Sequence, residues 1–109
     1  MKKLSIIIPA YNEGKTIHQI LDKVKAVQLP VGIDKEVIIV NDFSIDNTKN
    51  AVYQYQKKNN ELSIQYFKHP FNKGKGAALQ TGIEKASGDF NIIQDADLEY
   101  NPQEFSLLL

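Results

Sequence analysis

Two carboxylates separated by one residue, Asp95 and Asp97, follow the apolar run 89–93 of sequence Asp-Phe-Asn-Ile-Ile. Carboxylates at positions i and i+2 beyond a strand can converge on one hard cation. A divalent ion held by one or two carboxylates completes its coordination with water and substrate phosphates. The segment therefore predicts a site for a metal-bound diphosphate, although an isolated Asp-x-Asp sequence also occurs as an acidic turn that only closes a strand.

Three further clusters of polar or glycine residues follow apolar runs in the same way. They are Pro9–Glu13, Asn41–Ser44 and Asn72–Gly76. In the first cluster, Tyr11 could stack on a flat base, and Asn12 or Glu13 could reach a ribose, orient the loop or cap the next helix. In the second cluster, Asp42 could accept a hydrogen bond from a base or a ribose, or could cap a helix.

The third cluster is a glycine-rich entry into a predicted helix. Helix N-termini and loop amides favour anions, so Lys73 or Lys75 could assist the binding of phosphates or of a sugar. The small residues from Gly74 to Ala78 would let the helix approach the sheet closely. The spacing fits neither a P-loop nor a dinucleotide fingerprint. Close packing with solvated lysines is the alternative interpretation.

Short apolar runs rich in β-branched residues alternate with helical patterns along the chain. The predicted strands are Leu4–Ile8, Glu36–Val40, Ser63–Phe67 and Asp89–Gln94. The predicted helices are Lys15–Val27, Asp46–Asn59 and Gly74–Ala86, with a fourth beginning at Pro102. This alternation predicts right-handed crossovers and a parallel sheet. Ligands of such sheets bind outside the carboxyl ends of the strands, which is where all of the polar clusters fall.

The helical patterns also predict which side chains face the core and which cap the helices. The expected inward residues are Ile17, Ile20, Leu21 and Val24 of the first helix and Ala51, Val52 and Tyr55 of the second. Ser44 or Asp46 is the expected N-cap of the second helix. Neither histidine has a metal-ligand spacing, so His18, on the exposed side of the first helix, and His69, in a loop, are predicted to lie outside the site.

Composition limits the classes of function. The 109 residues suit one domain, and 13 basic residues balance 13 acidic ones, so no strong field draws the molecule to nucleic acid. Every basic residue is lysine, which binds phosphate as a point charge and lacks the bidentate grip of arginine. The absence of cysteine excludes disulfide and thiolate chemistry and fits a reducing compartment. A nucleic-acid partner is not expected.

The chain termini give two further expectations. The segment from Met1 to Ile8 superficially resembles a signal peptide, but Pro9 interrupts a short apolar run and Tyr11 lies where small residues should define cleavage. A cytoplasmic location is therefore expected. The sequence stops at Leu109 in an apolar pattern with no cap, glycine or proline, which suggests a domain that is truncated after its fourth strand.

Together the clusters resemble family 2 glycosyltransferases of the GT-A fold. The segments that carry the resemblance are Leu4–Glu13, Val37–Thr48, Asn72–Ala78 and Gln94–Tyr100. The resemblance implies an α/β, Rossmann-like GT-A three-layer sandwich with a mainly parallel sheet, of which residues 1–109 would be the donor-binding part. It also implies an inverting transfer from a nucleoside-diphosphate sugar, UDP- or GDP-linked, with Mg²⁺ or Mn²⁺ as cofactor.

The resemblance assigns roles to particular residues. The implied nucleotide-sugar-binding residues are Pro9, Ala10, Tyr11, Glu13, Asp42, Lys73, Lys75, Asp95, Ala96 and Asp97. Asp42 would contact the base. Asp97, together with Asp95, would hold the metal, which would stabilise the departing diphosphate as a Lewis acid. The sequences 73–76 and 95–99 look most like enzymes that load sugars onto polyprenyl phosphates, such as dolichol-phosphate mannose or glucose synthases.

The chain departs from the family pattern at two positions. Phe43 stands where glycine is usual, which removes easy access to a positive φ, and Gln80 stands where arginine is frequent. The family's catalytic base, its acceptor site and any membrane segment would lie beyond Leu109. Such segments could bring the protein to the inner face of the membrane. The sheet edge exposed by a missing second half also predicts a possible homo-oligomer.

Two other classes fit parts of the pattern. A non-catalytic nucleotide-binding or assembly module would have the same fold without turnover. A receiver-like regulatory domain is also α/β with acidic residues at strand ends, but it would need an acidic pair after the first strand. Pro9, Ala10 and Tyr11 occupy that place, which argues against a receiver.

Overall fold

Strands and helices alternate along residues 2–94, the part of the chain that the computed structural model describes. The elements are β1 (Lys2–Ala10), α1 (Ile17–Ala26), β2 (Ile33–Asn41), α2 (Thr48–Lys58), β3 (Ser63–Lys68), α3 (Lys75–Lys85) and β4 (Phe90–Ile93). Every element predicted within this range is present. The helix predicted to begin at Pro102 lies outside the described residues.

Within residues 2–94 the strands form one sheet in the order β3-β2-β1-β4, and each neighbouring pair is parallel. The chain winds from β1 outward to β3, then returns to the other side of β1 to form β4. The winding direction therefore reverses between β1 and β4. In an open parallel sheet this reversal leaves a crevice at the carboxyl ends of the two strands.

Helices cover both faces of the sheet, which explains the continuous apolar runs. One face packs against α1 and α2 through a cluster that includes Leu4, Ile6, Ile8, Val37, Ile39, the four predicted α1 residues, Val52 and Tyr55. The other face packs against α3 through Ile7, Ile38, Val40 and Ala78. Burying an aliphatic side chain of this size contributes about 1.5–3 kcal/mol, so the central strands hold most of the core. The predicted inward stripes of α1 and α2 are confirmed.

Helix α3 approaches the sheet closely at Ala78 and Gly82. Both residues are buried and lie four positions apart on the same helix face. A β-carbon built at Gly82 would lie 2.4 Å from Cγ2 of Ile7, whereas one at Gly74 or Gly76 would meet nothing within 4 Å. The prediction that the glycines at the helix entry permit the close approach is therefore wrong for Gly74 and Gly76. Gly74 has another reason to be glycine, since its φ is +96°.

A buried carboxylate joins elements at the amino end of the sheet. Glu36, 2% exposed, accepts hydrogen bonds from the Ser5 hydroxyl (2.6 Å), from the Ser87 amide (2.8 Å) and from the Ser87 hydroxyl (2.9 Å). The Gly88 amide donates to Ser5 Oγ at 2.8 Å. Burial alone would raise the pKa of Glu36, but the hydrogen bonds from Ser5 and Ser87 outweigh it and the pKa lies below its ordinary value of 4.5. This network fixes the turn between α3 and β4.

The N-cap predicted for the second helix is wrong. The N-cap of α2 is Asn47, and no side chain caps it there. Asp46 lies one residue earlier and accepts from the Thr48 amide at 3.0 Å, while Ser44 faces the preceding turn. No helix among residues 2–94 is long and apolar enough to cross a bilayer.

Candidate functional site

Within residues 2–94, β1 pairs with β4 from Leu4 opposite Phe90 to Ile7 opposite Ile93. The Gln94 amide donates to the Ile7 carbonyl at 2.9 Å, and the Asp42 amide donates to the Ala10 carbonyl at 2.9 Å. The backbone N–H and C=O groups of successive β1 residues therefore point to β4 and to β2 alternately, and those of residue 9 point to β4. Pro9 has no N–H to offer that neighbour, so the ladder cannot continue through a bond from residue 9. Pro9, the first residue of the predicted binding segment 9–13, therefore offers no main-chain donor on the side of β4.

Asn12 ties the loop after β1 to the loop after β2. Its amide donates to Ser44 Oγ at 2.8 Å, and its side-chain oxygen accepts from the Ile45 amide at 2.9 Å. Its φ is 54°, a conformation that asparagine tolerates better than most residues. The N-cap of α1 is Thr16, without a side-chain cap, and its hydroxyl donates to the Glu13 carboxylate at 2.9 Å. Of the roles considered for Asn12, the structure shows loop orientation.

Two more bonds fasten the same pair of loops. The Glu13 amide donates to Thr48 Oγ1 at 2.9 Å, and the Gly14 amide donates to Asp46 Oδ2 at 3.0 Å. A β-carbon at Gly14 would lie 2.0 Å from Oδ1 of Asn47, so a larger residue here would require the exposed Asn47 side chain to shift. The first and second predicted clusters thus form one continuous wall at the carboxyl ends of β1 and β2.

The side chain of Asp42 connects the second cluster to the third. It is 4% exposed. Its Oδ1 lies 2.8 Å from His69 Nδ1 and accepts from the Lys73 amide at 2.9 Å, and its Oδ2 accepts from the Gly74 amide at 2.8 Å. Burial alone would raise the pKa of Asp42, but the hydrogen bonds from His69, Lys73 and Gly74 outweigh it, so the pKa lies below its ordinary value of 3.8. Asp42 is an ionised anchor for the glycine-rich loop.

His69 was predicted to lie outside the site, but the structure places it against Asp42, one of the predicted site residues. The residue does lie in a loop, but its ring is buried against Asp42. Its Nε2 lies 2.8 Å from Thr81 Oγ1 on α3. The signal available in the sequence was position, because His69 follows β3 directly, just as Asp42 follows β2. His18 is exposed on α1, as predicted.

The bonds to Asp42 limit which groups of the glycine-rich loop can bind an anion. The amides of Lys73 and Gly74 point at Asp42, so they are occupied by a protein carboxylate. The side chains of Lys73 and Lys75 are exposed at the start of α3. The Lys73 ammonium lies 5.2 Å from the centre of the Phe71 ring. These two amides are therefore not available to a phosphate, and the lysine side chains are the exposed cationic groups of this loop.

Aromatic side chains are exposed along the same edge of the sheet. Tyr11 is 47% exposed and Phe43 is 39% exposed, and the Lys68 ammonium lies 5.4 Å from the centre of the Phe43 ring. Phe43 adopts a φ of 59°, so the chain takes up the left-handed conformation here although the residue is not glycine. The side chain of Asn41 supports this turn by accepting from the Ser44 amide at 2.9 Å.

The acidic segment with the metal and diphosphate assignments, Asp95, Ala96 and Asp97, lies outside the described residues. Among residues 2–94, no three histidine, cysteine, aspartate or glutamate side chains gather in a way that could hold a metal ion. The metal assignment therefore stays a prediction. Gln80, at the position where the family often has arginine, is exposed on α3 and bonds Glu84 at 3.4 Å.

A doubly wound parallel sheet with linked polar loops at a reversal point is the architecture of α/β proteins that bind nucleotides. Comparison with known proteins narrows this class to a family. The model for glycosyl transferase family 2 matches residues 5–109, and the chain belongs to that family. The receiver-like alternative is thereby excluded.

Relatives in this family include two kinds of enzyme. The chain is 36% identical over 94 residues to a poly-beta-1,6-N-acetyl-D-glucosamine synthase of Staphylococcus epidermidis, covering 86% of this chain and 21% of that protein. It is 36% identical over 110 residues to a dolichyl-phosphate beta-glucosyltransferase of Trichomonas vaginalis, covering 96% of this chain and 33% of that protein. The chain thus spans about a fifth to a third of the length of these relatives.

Solved structures confirm the expected GT-A fold. The mannosyltransferase PcManGT of Pyrobaculum calidifontis, in complex with GDP-Man and Mn²⁺, superposes with a TM-score of 0.84 at 28% identity, over 94% of this chain and 30% of that one. TarS of Staphylococcus aureus, in complex with UDP-GlcNAc, superposes with a TM-score of 0.77 at 30% identity, over 87% of this chain and 26% of that one.

Proposed function

We propose that this chain is the donor-binding part of a metal-dependent glycosyltransferase that moves a sugar from a nucleoside-diphosphate sugar to an acceptor. The observation that carries the proposal is the joining of three strand-end loops, after β1, β2 and β3, into one wall along the carboxyl ends of these strands. Family 2 membership supports a glycosyl transfer. The relatives solved with GDP-Man and UDP-GlcNAc support a nucleotide-linked donor.

Within this proposal the described residues bind and orient the donor. Tyr11 offers an exposed ring beside the crevice for a base, and Pro9, Ala10 and Glu13 shape the adjoining loop. Asp42 holds the loop that presents Lys73 and Lys75, whose ammonium groups would meet the negative charge of the diphosphate. The Asp42 carboxylate already accepts three hydrogen bonds from the protein. If Asp42 also contacted the base, it would have to accept a further bond.

The metal assignment rests on Asp95 and Asp97. Two carboxylates are suitable ligands for Mg²⁺ or Mn²⁺, since both are hard cations that prefer oxygen. They follow Gln94, whose amide is fixed beside β1 by the bond to the Ile7 carbonyl. A bound divalent ion would stabilise the charge that develops on the leaving diphosphate. The relative solved with GDP-Man also contains Mn²⁺.

The acceptor and the stereochemistry are finer parts of the proposal. Resemblance to polyprenyl-phosphate transferases, together with the dolichyl-phosphate relative, favours a polyprenyl phosphate acceptor and inversion at the anomeric carbon. Such an acceptor would place the enzyme at the cytoplasmic face of a membrane. A chain extended to the length of its relatives should then release product with the anomeric configuration opposite to that of the donor, measured by proton NMR.

Metal-dependent binding of a nucleotide is the direct test of the donor site. Isothermal titration calorimetry with GDP and with UDP should show binding in Mn²⁺ or Mg²⁺ that weakens about tenfold or more, or roughly 1.4 kcal/mol, when EDTA removes the ion. Asp97→Ala should have the same effect. Asp34→Ala is the matched control, because Asp34 is an exposed carboxylate at the opposite, amino end of β2. A folded protein that binds neither nucleotide in the presence of metal would refute the proposal.

A non-catalytic nucleotide-binding or assembly module with the same fold is the second candidate. It predicts donor binding without turnover even in an extended chain. Self-association is a related proposal, since Phe90 and Ile93 on the edge strand β4 are 42% and 47% exposed. Sedimentation velocity should show a dimer or larger species, and a monomer at all concentrations would contradict it.

A further inference from the structure

A buried chain of polar side chains crosses from the end of β2 to the middle of α3. It runs from the Asp42 carboxylate through the imidazole of His69 to the hydroxyl of Thr81, with both contacts at 2.8 Å. Within residues 2–94, no buried side-chain nitrogen or oxygen lacks a hydrogen-bond partner. The imidazole is therefore held at both of its nitrogens, and its orientation is fixed.

The chemistry of the partners decides which nitrogen carries the proton. An ionised carboxylate can only accept hydrogen bonds, so Nδ1 of His69 must donate to Asp42. The Thr81 hydroxyl can donate to Nε2 or accept from it. The main chain strengthens the arrangement, since the His69 amide donates to the Asn41 carbonyl at 2.9 Å. Backbone and ring thus both tie His69 to the end of β2.

The orientation of the Asp42 carboxylate matters because its two oxygens hold two different segments, His69 after β3 and the turn before α3. Its Oδ1 is shared by His69 and the Lys73 amide, and its Oδ2 accepts from the Gly74 amide. These two amides lie in the turn where Gly74 adopts a φ of +96°. Rotation of the carboxylate would release both amides together. The loop that presents Lys73 and Lys75 would then lose its attachment to β2.

We propose that His69 is a positioning residue for the donor site: it donates from Nδ1 to Asp42 and holds the carboxylate in the orientation that fixes the Lys73–Gly74 turn. Through Thr81 the same ring ties this turn to α3. The consequence for donor affinity rests on the proposed function, whereas the consequence for the turn does not.

Two substitutions of His69 test the roles of its two ring nitrogens separately. In His69→Asn the side-chain amide lies near the former Nδ1 and can still donate to Asp42. In His69→Gln the amide lies near the former Nε2 and can bond only Thr81. His18→Gln is the control, since His18 is exposed on α1. Thr81→Val removes the other bond of His69 and keeps its donation to Asp42.

Amide hydrogen exchange measured by NMR reads the turn directly and needs no ligand. Exchange at Lys73 and Gly74 should quicken about tenfold or more in His69→Gln, as a lost bond of roughly 1.4 kcal/mol implies. It should stay within about threefold of the wild type in His69→Asn and His18→Gln. Long-range ¹⁵N spectra of the wild-type ring should show a proton on Nδ1. A ring with its only proton on Nε2, or equal exchange in both His69 variants, would overturn the proposal.

Calorimetry with GDP and UDP in Mn²⁺ tests the link to the donor. Affinity should fall about tenfold in His69→Gln and change less than about threefold in His69→Asn. If both His69 variants bind the nucleotide as the wild type does, while their melting temperatures fall, His69 only packs and the positioning role is wrong. If the wild type binds neither nucleotide, the proposed function fails, and the exchange data still decide whether His69 fixes the turn.

Discussion

The contact between α3 and the sheet makes a strong prediction about Gly82. A β-carbon at this position would lie 2.4 Å from Cγ2 of Ile7 and 3.4 Å from its Cγ1. Non-bonded carbons prefer about 3.5–4.0 Å, so Gly82→Ala creates an overlap of roughly 1 Å. Overpacking costs about 1–3 kcal/mol, and the better helix propensity of alanine returns about 1 kcal/mol. Because the overlap is large, we expect a net loss of about 1–2 kcal/mol.

The matched control is Gly76→Ala. Gly76 lies on the same helix, and a β-carbon there meets nothing within 4 Å. Only the gain in helix propensity applies, so this variant should be more stable than the wild type by up to about 1 kcal/mol. Urea unfolding followed by far-ultraviolet circular dichroism measures both changes. Equal stabilisation by the two substitutions would refute the close approach of α3 to β1.

Removing the Ile7 side chain should reverse the sign of the Gly82 effect. Ile7→Ala alone should cost about 2–5 kcal/mol, because it leaves a cavity in the core. In that background the β-carbon introduced by Gly82→Ala no longer overlaps a neighbour and partly fills the space, so the substitution should stabilise the protein. The coupling energy between the two sites should reach about 2–3 kcal/mol. Additive effects would show that the two residues do not touch.

Three further predictions concern the backbone and the buried charges. Phe43→Gly should stabilise the fold by about 0.5–1 kcal/mol in urea unfolding, because a φ of 59° is costly for a residue with a β-carbon; Phe43→Ala, which keeps that cost, should not. Glu36 has a pKa below its ordinary value of 4.5, so its contribution to the free energy of unfolding is present above that value and is lost as the pH falls through the folded pKa. Glu36→Gln should therefore be less stable at pH 7 and should lose less stability on acidification, measured by thermal melts from pH 7 to pH 3. Lys35→Met should destabilise the end of α1 by about 1–2 kcal/mol in chemical unfolding, since the Lys35 ammonium donates to the carbonyls of Val24, Lys25 and Val27 at 2.7, 2.9 and 2.6 Å and such bonds to a charged group are the stronger ones.

The elements and their order could be predicted because they depend on local patterns. The continuous apolar runs of β1 and β2 indicated strands buried on both faces, and the stripe from Ile17 to Val24 indicated one buried side of α1. The placement of the polar clusters then followed from the geometry of parallel strands. These steps need only periodicity and chain direction, which a single sequence contains.

The details of the site depend on contacts between distant segments and could not be predicted in the same way. Asp42 and His69 are separated by 27 positions. Their places directly after β2 and β3 put both at the same edge of the sheet, but the sequence does not show that the two side chains bond each other. The spacing of Ala78 and Gly82 did contain a usable signal, because small residues four apart lie on one helix face. The prediction assigned the close approach to the glycines at the helix entry instead. One of them, Gly74, is required for a different reason, its backbone conformation.

Bonds within the protein already fix the strand-end loops. The entropic cost of ordering the backbone of these loops therefore falls on folding and not on the binding of a ligand. Fixing the backbone of one residue costs about 1–2 kcal/mol, and the loops are fixed by bonds between the chain's own groups, such as Asn12 with Ser44 and Asp42 with Gly74. A ligand that enters the crevice has no need to order them again. Side chains on the outer surface of these loops, such as Tyr11 and Phe43, are exposed, so they can be substituted without loss of the bonds beneath them.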